Sequence, residues 1–492
     1  MANQYILAVD QSTSGTKVLL VNREGEIVYR NSKEHTQYYP QPGWVEHDPT
    51  EIMGNVLELL REAANWVPDG DEILSLAITN QRETALIWDK ETGEPIYNAI
   101  VWQCRRTADL CGQLKADGWE SLVEEITGLK VDPYFSATKL SWILDHVAGA
   151  REKLQQSRLM AGTIDTWLIW NLTGKTEYKT DVTNASRTLL YNIYDLKWDA
   201  ELLKVFDLTG ILLPEVCACD ADFGETSLGG FLKKPLPIQG VIGDSQGALF
   251  AHMCYESGTA KATYGTGTSI LMNTGSAPVK SKDGLVTAIA WGHGNSVNYA
   301  LEGIINCSGD TLNWLKNELC LFETHDEIEG FCRSIPDNEG VYLVPALVGY
   351  GIPYWNPYSK AAILGMTRAT TKAHLIRAGV ESIVYQIYDA ISVMEKVAGI
   401  SLKSLNVDGG ATANGFLLQF QADILGKEVA ASEVKELSAM GAVRMAALRH
   451  NFFILNGQPG EDREIRYTPL MCPDIRKKNL EGWKSAVESI VL

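Results

Sequence analysis

The stretch YILAVDQSTSGTKVLLVN, residues 5–22, decides the fold class. It reads as an apolar strand, a turn of small hydroxyl residues ending in Gly15, and a second apolar strand; REGE (23–26) then turns the chain into a third, IVYRN (27–31). A similar unit returns at 258–275 as GTAKATYGTGTSILMNTG, again strand, Gly/Thr turn, strand. Two such hairpins about half a chain apart suggest two related domains facing each other. Helical patterns alternate with strands elsewhere, which argues for an α/β class. The clearest helix begins near His374, where Ile376, Val380, Ile383, Ile387, Ile391 and Met394 recur at three- and four-residue steps before Gly399, a plausible C-cap. The stretch Leu228 to Gly240 reads as an excursion before a core strand, and Pro353 and Pro357 mark a later loop. A boundary near residue 250 divides the chain into expected domains 1–250 and 251–492.

At 492 residues the chain exceeds one ordinary domain. Hydrophobic residues at 45% and charged residues at 21% fit a globular protein. Lys plus Arg total 43 against 61 Asp plus Glu, and the net charge of −18 would repel a nucleic-acid backbone and an anionic membrane alike. Nine scattered cysteines show no paired metal or disulfide spacing; Cys217 and Cys219, in what reads as a loop, are taken as plain thiols. The start MANQYILAVDQS lacks a basic segment and its apolar run meets Asp10, so no signal peptide is expected, and no run is long enough to span a bilayer. A cytoplasmic protein is the expectation.

Phosphate binding calls for small residues whose backbone N–H groups can approach oxygen. DQSTSGTK (10–17) supplies them together with Lys17, without the GK[ST] ending of a Walker A loop, and YGTGT (264–268) offers the same chemistry in the second half. Taken alone, each is equally an ordinary hairpin turn. GDSQGALF (243–250) places Asp244 between a buried strand and a helix, either as an N-cap or as a carboxylate at the strand end where open α/β sheets hold ligands. In VDGGATANGFLLQFQADILG (407–426) the Gly409–Gly410 pair permits close approach of a ligand or makes a tight turn, and Asn414, expected one turn into the following helix, has no evident core role.

These segments, together with GWVEHDP (43–49), ITNQRET (78–84), YNAIVWQCRRT (97–107), TGLKVDPYFSATKLSWILDH (127–146), GTIDTWLIW (162–170), NASRTLLYNI (184–193) and GYGIPYWNPY (349–358), resemble in order and spacing the FGGY carbohydrate kinases, most of all their glycerol kinase branch. The resemblance implies two actin-like (ribonuclease H-like) α/β domains with a central cleft holding ATP, Mg2+ and a small polyol. It implies Asp244 as general base and, with Asp10, as a Mg2+ ligand. Thr13, Ser14 and Lys17 match the first phosphate loop, Gly265, Thr266 and Gly267 the second, and Gly309, Asn313, Gly410 and Asn414 positions around the adenosine. Arg82, Glu83, Trp102, Tyr134 and Asp244 match residues that grip the polyol, whereas pattern alone makes Arg82 and Glu83 a surface ion pair and Trp102 a core residue. Self-association as a homodimer or homotetramer is implied in the same way.

Four positions depart from the glycerol kinase pattern. Ser245 stands for Gln and Ser269 for Phe, both lining the implied polyol pocket, while Ser12 replaces Gly and Lys17 replaces Arg in the first loop. The loop GGFLKKP (229–235) lacks the regulatory histidine of many Gram-positive relatives and does not resemble the enterobacterial effector loop, so no regulator is assigned. A ketose kinase of the xylulose type and an actin- or Hsp70-like nucleotide switch are the competing readings; the switch would lack the polyol-gripping set.

Overall fold

The computed structural model describes residues 2–280, 284–354, 356, 358–434, 436–450, 452 and 464–491, and the chain forms two α/β domains, each on its own mixed sheet. The first sheet has six strands in the order Asp222–Thr226, Leu236–Gly243, Glu72–Asn80, Gln4–Gln11, Gly15–Asn22 and Ile27–Glu34. Within Gln4–Gln11, Tyr5–Val9 is an unbroken apolar run because both its faces are covered. Ile6 and Ala8 enter a core shared with the second domain, while Leu7 and Val9 enter a core under helix Pro49–Trp66. Parallel pairing aligns Gln11 with Asn80 and Asn80 with Gly243, so Asp10, Arg82, Glu83 and Asp244 all emerge at the carboxyl end of one sheet.

The second sheet has seven strands in the order Val286–His293, Ser296–Ile305, Thr268–Gly275, Thr259–Tyr264, Ser404–Gly409, Val429–Ser432 and Glu464–Tyr467. Ala260, Ala262, Tyr264, Ile270 and Met272 point into the core beneath helix Lys372–Ala398. By the two-residue alternation of a strand, Lys261, Thr263 and Ser269 occupy the opposite face. There Thr263 is aligned with Ser269 and Asp408, and Leu271 with Lys261 and Glu302. Helix Leu437–His450 crosses back to the first domain, where Gly441 and Gly247 meet so closely that a Cβ on Gly441 would overlap the Gly247 backbone.

Several expectations shift at this level. The long helix starts at Lys372, where the Thr371 N–H donates to His374 Nδ1 at 3.1 Å, and Gly399 closes it at φ 66°. The excursion before the core strand ends at Pro235, because Leu236 already pairs with Thr226. Cys217 closes the short strand Glu215–Cys217 rather than lying in a loop, and Cys219 is buried against Asp181. Gly243 is the N-cap of helix Asp244–Ala251, which removes the capping reading of Asp244. Asn414 is itself the N-cap of helix Gly415–Leu425, accepting from Leu417 N–H at 3.0 Å, not a residue one turn inside it. Trp355 and Pro357 lie outside the described residues. Among those described, no helix is long and apolar enough to cross a membrane.

Candidate active site

Three strand ends and the opposing sheet face enclose a cavity of about 860 Å³ lined by Asp10, Lys17, Asp244, Ser245, Lys261, Thr263, Asp408 and Gly410, among others. Burial raises the Asp10 carboxyl to about 7 against the opposing pull of Lys17, with Asp244 and Glu436 adding to the rise. Its Oδ1 is buried without a hydrogen-bond partner. Asp244 Oδ1 pairs with Arg82 Nε at 3.1 Å as an ion pair and accepts from Ser245 N–H at 2.6 Å, while Oδ2 is left without a hydrogen-bond partner among the described residues. Two carboxylates with unused oxygens on one cavity suit Mg2+, a hard ion that takes one or two carboxylates and completes its shell with water and phosphate oxygens. Among the described residues no cluster of three or more His, Cys, Asp or Glu offers a closed metal cage.

Beside Asp244 lies a buried ring of four charges. Arg82 Nη2 reaches Glu302 Oε1 at 2.9 Å, Glu302 Oε2 lies 2.5 Å from Arg187 Nη1, and Arg187 Nε donates to Glu83 Oε1 at 2.5 Å. The Glu302–Arg187 contact is an ion pair not aligned as a hydrogen bond. Burial pushes Glu302 towards neutrality, but Arg187 and Arg82 outweigh it and hold the carboxyl down at about 2. Arg82 and Glu83 are 5% and 1% exposed, so the surface-pair expectation fails: Arg82 spends its charge on Glu302 and Asp244, with Glu83 Oε1 at 3.9 Å. Glu83 also sits at φ 60°, a region side chains rarely adopt and one that clusters at functional sites. Trp102 is half-buried rather than core; its ring meets Tyr134 edge-on at 5.5 Å and its Nε1–H donates to Thr13 Oγ1 at 2.9 Å.

A second cavity of about 640 Å³, sharing Gly410 with the first, is lined by Gly265, Thr266, Gly309, Asn313 and Asn414. A Cβ on Gly309 would stand 2.6 Å from Gly265 O, and one on Gly267 would overlap Ile305 O, whereas a Cβ on Gly410 would meet nothing. Gly309 therefore lets helix Gly309–Asn317 touch the turn, Gly267 lets the turn meet the end of strand Ser296–Ile305, and Gly410 keeps the cavity open. That shape and lining suit a nucleotide: an open wall for a planar base, and a glycine turn for phosphates.

The structure thus gathers most of the sequence-derived set around two joined cavities, but not all in the expected roles. Thr13 faces Trp102, Ser14 is exposed, and neither lines these two cavities. Lys17 lines the larger one but is bound to Glu436 at 2.9 Å, which Arg30 also holds at 2.6 Å. Gly267 packs against Ile305 and Asn306 at the end of strand Ser296–Ile305. Arg187, Glu302 and Lys261 were missed. The only signals were a lone charge in the apolar runs YALEGII and GTAKATY, and an Arg inside NASRTLLYNI.

Comparison with known proteins agrees with this architecture. The pattern of the FGGY family of carbohydrate kinases matches residues 5–251 with its N-terminal domain and 260–450 with its C-terminal domain. The chain is 49% identical over 488 residues to glycerol kinase 1 of Clostridium tetani (99% of this chain, 98% of that one) and 48% identical over 492 residues to the glycerol kinase of Xanthomonas axonopodis pv. citri (99% of each). Its fold superposes on Plasmodium falciparum glycerol kinase with ADP at a TM-score of 0.94, with 35% identity over 100% of this chain and 99% of that one. It matches a gluconate kinase from Lactobacillus acidophilus at 0.87, where 21% identity speaks for the fold alone. With both domain patterns matched in order over most of its length, the chain belongs to the FGGY family of carbohydrate kinases.

Proposed function

We propose that this chain is an ATP-dependent kinase of the glycerol kinase type, which transfers the γ-phosphoryl group of ATP to a terminal hydroxyl of glycerol or a slightly longer polyol. The observation that carries the reading is Asp244. Its Oδ1 is fixed by Arg82 and the Ser245 N–H, and its Oδ2 is unused at the meeting point of the charged ring and the cavity with Asp10. An oriented carboxylate with one unengaged oxygen can take the hydroxyl proton as the alkoxide oxygen bonds to phosphorus and the β–γ bridge bond breaks, releasing ADP. Arg82 and Glu83 offer polyol oxygens a donor and an acceptor, and Trp102 and Tyr134 an apolar wall. Gly265, Thr266, Gly309, Asn313, Gly410 and Asn414 would surround the nucleotide, with Thr13, Ser14 and Gly267 shaping the turns. When bound through Asp10 and Asp244, Mg2+ would offset charge on the transferring group. Residues 1–250 would carry the polyol side and 251–492 most of the nucleotide side.

Ser245 and Ser269 favour the longer substrate. Ser245 lines the main cavity, and the Ser269 hydroxyl, on the same sheet face as Thr263, is buried without a hydrogen-bond partner. A further carbon and hydroxyl could satisfy it, and sites built for such bonds discriminate strongly against analogues lacking the group. ADP release measured over glycerol, erythritol, threitol, pentitols and ketoses tests both levels. Polyol-dependent turnover supports the kinase, and no turnover with any of them refutes it. A tetritol or pentitol exceeding glycerol in kcat/KM, with Ser269→Phe shifting preference back, supports the wider pocket. Glycerol leading tenfold or more refutes it.

A further inference from the structure

Lys261 is a buried lysine with no counter-ion within ion-pair distance among the described residues. It is 1% exposed on strand Thr259–Tyr264, no carboxylate among the described residues lies within ion-pair distance, and its one hydrogen bond runs from Nζ to Thr263 Oγ1 at 2.9 Å. Unpaired buried charge is costly and is normally paired, neutralised or kept for a ligand. Here the side chain lies along its strand from position 261 to the level of Thr263, two residues short of the Gly265–Gly267 turn, and lines the same cavity as Asp10 and Asp244. The cavity's other described cation, Lys17, is already bound to Glu436. Asp408, the carboxylate with the largest influence on Lys261, is engaged with His252 Nε2 at 2.8 Å. Burial lowers the Lys261 pKa; Asp408, Asp244 and Glu302 pull it up and Arg82 pulls it further down.

We propose that Lys261 contacts the transferring phosphoryl group, its ammonium meeting the equatorial oxygens from the second domain while Asp244 works on the hydroxyl from the first. The assignment rests on the kinase reading above. Charge builds on those oxygens during transfer, and a preset cation stabilises it more than it stabilises either bound ground state. An incoming anion would supply the counter-charge that the protein withholds.

Lys261→Met keeps the length of the stem and removes the charge; Lys261→Arg keeps the charge. The expected result is a kcat lowered ~100-fold or more in Lys261→Met, in line with loss of one preset donor to a developing oxyanion. Affinities for glycerol and ADP should stay within about threefold, and Lys261→Arg should retain at least about a tenth of wild-type turnover. A Lys261→Met kcat within tenfold of wild type, or parallel loss of glycerol and ADP binding, assigns Lys261 to packing and overturns the proposal. Should Lys261→Met not fold, 15N lysine side-chain spectra of the wild type decide the matter. The Lys261 ammonium signal should move on adding glycerol with a non-hydrolysable ATP analogue and stay in place with glycerol and ADP; an unmoved signal in both overturns the assignment. Wild type inactive on every polyol would overturn the kinase reading and this assignment with it, whereas active wild type beside an unimpaired Lys261→Met overturns the assignment alone.

Discussion

A carboxylate that abstracts a proton needs one oxygen held and the other free, and Asp244 has that division. Asp244→Asn should preserve the fold and the Arg82 contact through its amide oxygen, yet lower kcat at least ~100-fold, the lower range for loss of a general base. Steady-state ADP release checks this, and turnover above a tenth of wild type would remove Asp244 from the chemistry. Glu302 tests the charged ring. Glu302→Gln leaves Arg82 and Arg187 short of a carboxylate in a dry setting, and urea unfolding at pH 7 should show a loss of about 3–5 kcal/mol. Because the folded-state pKa of Glu302 is depressed to about 2, its contribution is full above the unfolded-state value and fades as pH falls from about 4.5 towards 2. The gap between wild type and variant should therefore narrow over that window. The role of Asp244 was legible through the family resemblance; the charged ring was not. Arg82 and Glu83 alone read as an exposed pair, because the partner that buries Arg82 is 220 positions away on another sheet. Lys17 misled for the same reason: Glu436, which binds it, is 419 positions on.

At the scale of elements, the two hairpins and the long helix were legible because their patterns are local: a period of two, a Gly/Thr turn, then a three-to-four spacing closed by Gly399. Asn414 was misplaced by a turn, since the short 3-10 segment Gly410–Ala413 holds the chain out of the α-helix until Asn414 caps it. The glycine turn gives an element-scale prediction. With only 2.6 Å between a new Cβ at position 309 and Gly265 O, Gly309→Ala must push helix Gly309–Asn317 away from the turn. The KM for ATP should rise ~10-fold or more while glycerol affinity changes little, read by varying each substrate in turn. An unchanged KM for ATP would detach this contact from nucleotide binding.

Over the whole molecule, the first sheet brings Asp10, Arg82 and Asp244 to the cleft and the second brings Lys261, Ser269 and Glu302, so the site is complete only where the two domains meet. Glycerol with a non-hydrolysable ATP analogue should draw the domains together and exclude water from the transfer. A smaller radius of gyration in small-angle scattering is expected, and an unchanged one in a verified ternary complex would argue against closure. The sequence suggested two facing domains through its repeated hairpin, but the return of helix Leu437–His450 onto the first domain has no local signature, because its apolar stripe does not name the sheet it covers. Phosphoryl transfer to a terminal carbinol can be followed by 31P NMR of a reaction containing enzyme, MgATP and glycerol. The γ-phosphate signal should be lost, matched one for one by ADP and a phosphomonoester coupled to a terminal CH2, with neither product when Asp244→Asn replaces the wild type. ADP forming with inorganic phosphate and no monoester from glycerol or from any longer polyol would contradict such transfer.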